Sequence, residues 1–249
     1  MFCLDNHRTF FTVSLDGVSA FDVVSRDIQL RELFCAGEDG RFWLASHFEY
    51  KNSLTKIKRN QEISDALIES QGVKQGSCKS SDHYKIYLNP ALDLIENASL
   101  GVQIGPINSG MSACADDIQG MSDDQNKLQC ILDLAEHYGR TYRVTYGADK
   151  TKITISGPQC DIDYYKEIKP WRIYGETVSV VSENEHLGQI VSDNKQKFKN
   201  VENRIIKARK SLFSILGSGF SYRSHLSPSL KIHAFRTLIC PILRSGHFL

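Results

Sequence analysis

Two short apolar stretches that each run directly into aspartate constrain this chain more than any other feature. Phe11, Val13 and Leu15 alternate and lead into Asp16, which is the period of a half-buried strand. Residues 111–113 form a second short strand-like stretch, followed by Cys114-Ala115-Asp116-Asp117. Acids at strand ends repel one another when brought to one sheet edge, and a bound divalent cation relieves that repulsion. Two-metal phosphoryl transfer uses such carboxylates to hold two ions about 3.5–4 Å apart. The chain must then fold so that strands one hundred residues apart meet at one edge of a sheet. An Asp-Asp pair alone is weak evidence. Asp123-Asp124 follows seven residues on, and it reads as the exposed start of a helix, where the dipole favours acids.

Elements of both kinds surround these strands. Residues 19–36 read as a helix on the spacing of Phe21, Val24, Ile28 and Leu33, with Gly37 to end it. A second helix is expected over 41–50, then two short strands near 54–58 and 66–70 joined through Arg59-Asn60. Residues 80–97 have helical spacing, with a kink or break expected at Pro90. A strand is expected at 102–104, and Ser122 is expected to cap a helix running to about Tyr138. Strands at 143–146 and 151–156 follow, with shorter ones through Val191. In the last quarter Phe198, Val201, Ile205, Ala208, Leu212 and Ile215 recur at threes and fours. They define one apolar face of a helix that the mixed body or the last helix must bury. Its other faces are basic, and the last helix is expected to start near Ser227-Pro228.

Charge divides the chain as the elements do. Residues 193–249 carry 11 Lys and Arg against 2 acids, whereas residues 1–192 carry 19 against 27. The net charge of +1 therefore conceals a +9 tail on a −8 body. A basic tail fits a nucleic-acid footprint and a solvated basic helix equally well. The seven cysteines are scattered and never form a C-x-x-C pair, which argues against a zinc site or a disulfide framework and suits a reducing compartment. No apolar run is long enough to span a bilayer, and the first residues lack the layout of a signal peptide. The expectation is an intracellular protein, nuclear or cytoplasmic and not secreted, with no membrane contact.

The order of these motifs resembles the reverse transcriptases of non-LTR (LINE-type) retrotransposons. Leu15-Asp16-Gly17-Val18-Ser19-Ala20-Phe21-Asp22 is similar to the first palm motif of that family, and Gly72-Val73-Lys74-Gln75-Gly76-Ser77 to its template-contacting motif. Tyr84, Tyr87 and Asn89 continue the following helix as the family does. Cys114-Ala115-Asp116-Asp117 resembles the aromatic-Ala-Asp-Asp box, Asp149-Lys150-Thr151-Lys152 the lysine motif, and His186-Leu187-Gly188 the primer grip. The basic helix and Cys240-Pro241-Ile242-Leu243 resemble the thumb and its end. Six motifs in the family's order make a specific signal where any one is modest.

The resemblance implies an α+β fold: a right-hand polymerase palm of antiparallel sheet backed by helices over 1–192, then a basic helical thumb, partial, over 193–249. Nothing ahead of Phe11 resembles the fingers, so these are expected to be largely missing. It implies that Asp16, Asp116 and Asp117 are metal ligands for Mg2+, with Mn2+ a possible substitute. Phe21 would lie under the incoming sugar, and Gln75 and Gly76 against the template and nascent base pair. Lys150 would neutralise or protonate the departing pyrophosphate. Leu187 and Gly188 would turn the primer grip, and Lys199, Arg204, Lys207 and Lys210 would contact nucleic-acid phosphates. Local alternatives stand beside these: exposed surface acids, a core aromatic for Phe21, an ordinary turn at 75–76, a solvated Lys150 and a plain hairpin at 187–188.

Several residues depart from the family pattern. Ser19 stands for a frequent Lys, Lys74 and Ser81 for prolines, Lys79 for a common Leu, and Cys114 for an aromatic. None removes an implied metal ligand. The implied reaction is template-directed addition of deoxynucleotides to a primer 3′ end, with RNA template, DNA primer and dNTPs as partners and no protein partner. The alternatives are a catalytically inactive nucleic-acid-binding remnant and, less well supported, a maturase-like RNA binder.

Overall fold

The computed structural model describes residues 8–74, 76–77, 79–192, 196–220 and 225–245. The chain divides into two compact units, Met1–Asn184 and Glu185–Leu249. The boundary expected at 192/193 lies after a hairpin that belongs with the second unit. Among the described residues no helix is long and apolar enough to cross a membrane. Cys35, Cys114, Cys130, Cys160 and Cys240 are free.

The first unit is built on a five-stranded sheet. Its strands are β1 (Phe10–Asp16), β2 (Met111–Cys114), β3 (Asp117–Ser122), β4 (Lys152–Ser156) and β5 (Ser179–Val181), in the spatial order β5-β4-β1-β3-β2. All neighbours are antiparallel except β4 and β5. Alternation assigns the two faces. Phe11, Val13 and Leu15 of β1, Ile118 of β3, and Ile153 and Ile155 of β4 are buried in the core. The register puts Thr12, Ser14 and Asp16 of β1 on the other face, opposite Met121, Gln119 and Asp117 of β3. One face is therefore hydrophobic and the other mostly polar.

Helices cover the apolar face. α1 (Arg26–Cys35), α2 (Gly40–Lys51), α3 (Ser80–Asn97), α4 (Gln125–Tyr142) and α5 (Gln159–Ile168) belong to this unit. α3 packs on β2 and on α4, and α4 packs on β3 and β1. Gly120 lets β3 lie close under α4, because a Cβ there would meet Val13 Cγ1 at 2.8 Å and Ile131 Cγ2 at 3.2 Å. A long hairpin leaves α2: Leu54–Thr55 pairs with Leu67–Ile68, and Lys58–Arg59 with Glu62–Ile63.

Four local expectations change. The helix expected from residue 19 begins at Arg26. Ser19 has φ 50, and the carbonyls of Phe21 and Val24 accept from Val73 and Gly72 rather than continuing a helix. α3 runs through Pro90 without a break. Tyr87, Leu88, Ala91 and Ile95, buried on either side of the proline, offset the lost backbone bond. The cap of α4 is Asp124, which accepts from the N–H groups of Asn126 and Lys127; Ser122 donates to the carbonyls of Leu100 and Asp124. Residues 143–146 form no strand beyond one bridge from Tyr146 to Gly17, because Arg143 ends α4 in the left-handed region.

The second unit is a hairpin and helices. β6 (Glu183–His186), which begins just before the unit boundary, pairs with β7 (Gln189–Ser192), and α6 (Gln196–Ile215) follows. α7 (Pro228–Ala234) starts where expected, with Ser227 accepting from the N–H of Leu230 and Pro228 in the first turn. It continues through a π-helical stretch, Phe235–Ile239, into α8 (Cys240–Arg244). α6 packs on β7 and on the 235–244 segment. Its apolar stripe is only partly covered: Ala208 is buried, while Val201 and Ile205 remain 49% and 39% exposed.

Candidate active site

The polar side of the sheet brings together four of the residues singled out by the sequence, Asp16, Asp116, Asp117 and Lys150. β1 and β3 pair so that Asp16 lies directly opposite Asp117. Side chains directly opposite on antiparallel strands have Cβ atoms about 4.5–5.5 Å apart. Asp116 sits in the two-residue turn between β2 and β3, whose closing pair is Cys114 and Asp117. Ala115 opens that turn at φ 57, a backbone conformation that costs a non-glycine residue about 1–2 kcal/mol. Strain of this kind clusters where function needs a fixed backbone.

Lys150 completes the edge. Residues 147–151 form a turn in which Gly147 donates to the Asp16 carbonyl at 3.3 Å, and Lys150 and Thr151 donate back to the carbonyl of Gly147. The Lys150 Nζ reaches Asp16 Oδ2 at 2.8 Å. That hydrogen bond, and next the Asp16 charge, raise the pKa of the lysine ammonium. Both side chains are about half exposed, at 59% and 43%, so the ion pair is weak and open to displacement. Lys150 thus places a positive charge beside Asp16.

Beneath this edge lies a stack of aromatic rings. Phe21 packs over Tyr84 with ring centroids 4.7 Å apart. The Tyr84 phenol is fully buried. Burial, and next the Asp116 carboxylate, push its pKa up. Phe21 is half-buried against the core, so its ring is a core aromatic. Gly76 has φ 84 and open space around it, and Gln75 lies outside the described residues.

The donor chemistry at this edge suits a hard divalent cation. Among the described residues no three Asp, Glu, His or Cys side chains already form a metal cluster. Mg2+ commonly binds through one or two carboxylates plus water and substrate phosphates, and the Asp16–Asp117 pair meets that requirement.

The hairpin and basic helix of the second unit are arranged differently. Leu187 and Gly188 form its two-residue turn with φ 50 and 73. Two positive values are what a tight twisted hairpin needs. Arg204 is half-buried and donates to Gln189 Oε1 at 2.5 Å, and Lys207 Nζ donates to Glu185 Oε1 at 2.8 Å. Lys210 is exposed and Lys199 half-exposed. Two of the four singled-out bases therefore brace the hairpin.

Sequence reasoning missed the buried polar group behind the site. Arg26 is only 7% exposed. It donates to the carbonyls of Gly72 and Tyr50 at 2.9 and 2.8 Å, to the Glu69 carbonyl, and to Glu69 Oε2 at 3.1 Å. A lone arginine in a helical stretch ordinarily reads as solvated, so nothing local marked it.

The sheet order thus sets the facing aspartates and the flanking lysine together at one end of the strands. A family profile described as reverse transcriptase (RNA-dependent DNA polymerase) matches residues 3–217, and the chain belongs to that family. No curated protein matches it. Solved structures similar to it include apo telomerase from Candida tropicalis truncated from the C-terminal domain, with TM-score 0.54 and 12% identity over 75% of this chain. Telomerase from Candida tropicalis in complex with a fragment of telomeric RNA gives TM-score 0.53 and 13% identity over 97%. These likenesses show the reverse-transcriptase fold, and the chain spans 34% and 39% of those telomerase chains.

Proposed function

We propose that the chain carries the palm and part of the thumb of a non-LTR retrotransposon reverse transcriptase, adding deoxynucleotides to a DNA primer on an RNA template. The observation that carries this reading is the cross-strand pair of Asp16 and Asp117, with Asp116 in the adjoining turn and Lys150 on Asp16. Asp16, Asp116 and Asp117 would hold Mg2+, or Mn2+ in its place. The ions would supply Lewis-acid activation of the primer hydroxyl and of the triphosphate. Phe21 would support the sugar from below, Gln75 and Gly76 would meet the template, and Leu187 and Gly188 would turn the hairpin toward the primer. Lys150, its proton held firmly, would release Asp16 and neutralise the departing pyrophosphate. Lys199, Arg204, Lys207 and Lys210 would add phosphate contacts, so binding should weaken with salt.

Primer extension tests the reading. With Mg2+, an RNA template and a DNA primer, the chain should add the template-matched deoxynucleotide, and Asp16→Asn should abolish the addition. Binding of template and primer with no addition under any of these conditions would reduce the protein to a nucleic-acid-binding remnant.

A further inference from the structure

The buried Arg26 lies outside the carboxylate edge, yet Glu69 and Gly72, two of the three residues it holds, belong to the segment preceding Gly76. Its guanidinium spends its donors on three pieces of backbone: Tyr50 in the last turn of α2, Glu69 at the end of the long hairpin, and Gly72. The Glu69 carboxylate accepts from Arg26 Nη2, from Ser53 Oγ at 2.7 Å, and from Thr55. The hydroxyl of Ser53 chiefly, and the Arg26 donor with it, hold the Glu69 carboxyl below its usual range against the opposing effect of burial.

The segment is fixed from the other side by the strand-to-helix turn that follows Asp16. Gly72 donates to the Val24 carbonyl at 2.8 Å and Val73 to the Phe21 carbonyl at 2.9 Å. Gly72 has φ 83, and a Cβ there would come within 2.9 Å of the Asp22 carbonyl oxygen. The chain thus passes as close to the Phe21 turn as a backbone can. Ser80 at the start of α3 donates to the Lys74 carbonyl. Residues 69–74 are therefore tied to the turn bearing Phe21 and to the helix bearing Tyr84.

We propose that Arg26 is a positioning residue, a buried fork that sets the 69–74 segment against the Asp16–Phe21 turn and so fixes how tightly the incoming nucleotide is held. This rests on the reading of that edge as a polymerase site. A planar, always-charged fork suits the role, because it bonds several fixed acceptors at once while a lysine reaches them singly. The segment it orders ends where Gln75 and Gly76 would meet the nascent base pair.

Two variants separate positioning from stability. Arg26→Lys keeps the charge and loses the fork. Arg26→Leu with Glu69→Leu removes the ion pair together but leaves the carbonyls of Tyr50, Glu69 and Gly72 without their donor, so its global unfolding is measured alongside. In both, amide exchange over 69–74 should quicken about tenfold while β1 and β3 keep their protection. KM for the deoxynucleotide should rise about tenfold with kcat within about threefold, since misplacement weakens holding before it alters the chemistry. Exchange that is unchanged over 69–74, or that quickens equally throughout the sheet, would overturn the proposal. So would a fall in kcat at constant KM. If the wild-type chain extends no primer, the polymerase reading fails, and the exchange pattern still decides whether Arg26 orders this segment.

Discussion

The carboxylate edge and the basic helix hold the side chains proposed to act there in opposite ways. At the edge, backbone register does the positioning: Asp16 faces Asp117 because β1 and β3 pair residue for residue from Phe11 to Asp16. Short side chains on paired strands have little freedom, so the geometry exists before anything binds. On α6 the bases are long, flexible and mostly exposed, and Arg204 and Lys207 are occupied by Gln189 and Glu185 of the hairpin. Chemistry that needs fixed atoms is placed on a sheet, while attraction to a phosphate backbone needs only charge near a surface. Substitutions at the edge should therefore act on turnover, and substitutions on α6 on binding.

The largest expected effect is at the pair itself. Asp117→Asn should lower the rate of primer extension on the order of a thousandfold, as for loss of one preorganised charge-stabilising group. Binding of template and primer should barely change. A binding loss as large as the rate loss would erase the contrast between the two regions. Lys150→Met should cost on the order of a hundredfold in kcat if the lysine serves the leaving group; a solvated lysine would leave kcat where it was.

A smaller effect is expected on α6. Replacing Lys199, Lys207 and Lys210 by alanine should weaken binding to all sequences alike and flatten the salt dependence. The slope should fall by about 0.7–0.9 for each phosphate contact removed. Within this set Lys207 should matter less than Lys210, because Glu185 already engages it. An unchanged slope in the triple variant would leave the basic face a solvated surface. The smallest effect belongs to the neighbouring acids: Asp123→Asn with Asp124→Asn should leave metal binding unchanged, and asparagine caps a helix nearly as well.

The scaffold behind the edge should respond to pH through His83. His83 is buried, its ring nitrogen 2.5 Å from the Tyr50 hydroxyl, and burial chiefly lowers its pKa from the ordinary 6.5. The folded state holds the neutral ring while the unfolded chain takes up a proton near its ordinary value. Stability from this site is thus full above that value and is lost as pH falls from there toward the folded pKa. Denaturant midpoints should fall on acidification through that window, and His83→Gln should remove this part of the fall.

Much of the sheet could be read in advance. Phe11, Val13 and Leu15 alternate because one face of β1 is buried and the other is not, and Ile118 obeys the same rule on β3. The meeting of Asp16 with Asp117 depends on pairing across one hundred residues, which no local pattern specifies; the order of six motifs supplied it. What local spacing misjudged lies where tertiary bonds override propensity. The turn after Asp16 has helical spacing, yet the carbonyls of Phe21 and Val24 are taken by Val73 and Gly72. Ser122 and Asp124 are both good caps by type, and only the backbone decides between them. The ends of α3 were legible, but the tolerance of Pro90 follows from packing on both sides of it. Arg26 was silent because its acceptors come from three distant segments.

Metal-directed backbone cleavage probes the facing aspartates themselves. Fe2+ in place of Mg2+, with ascorbate and peroxide, cuts chains next to the bound ion. The facing-aspartate account predicts cuts close to Asp16, at 115–117 and at 147–150, suppressed by excess Mg2+ and lost in Asp16→Asn with Asp117→Asn. Cuts at 123–124 that survive that double substitution would contradict it.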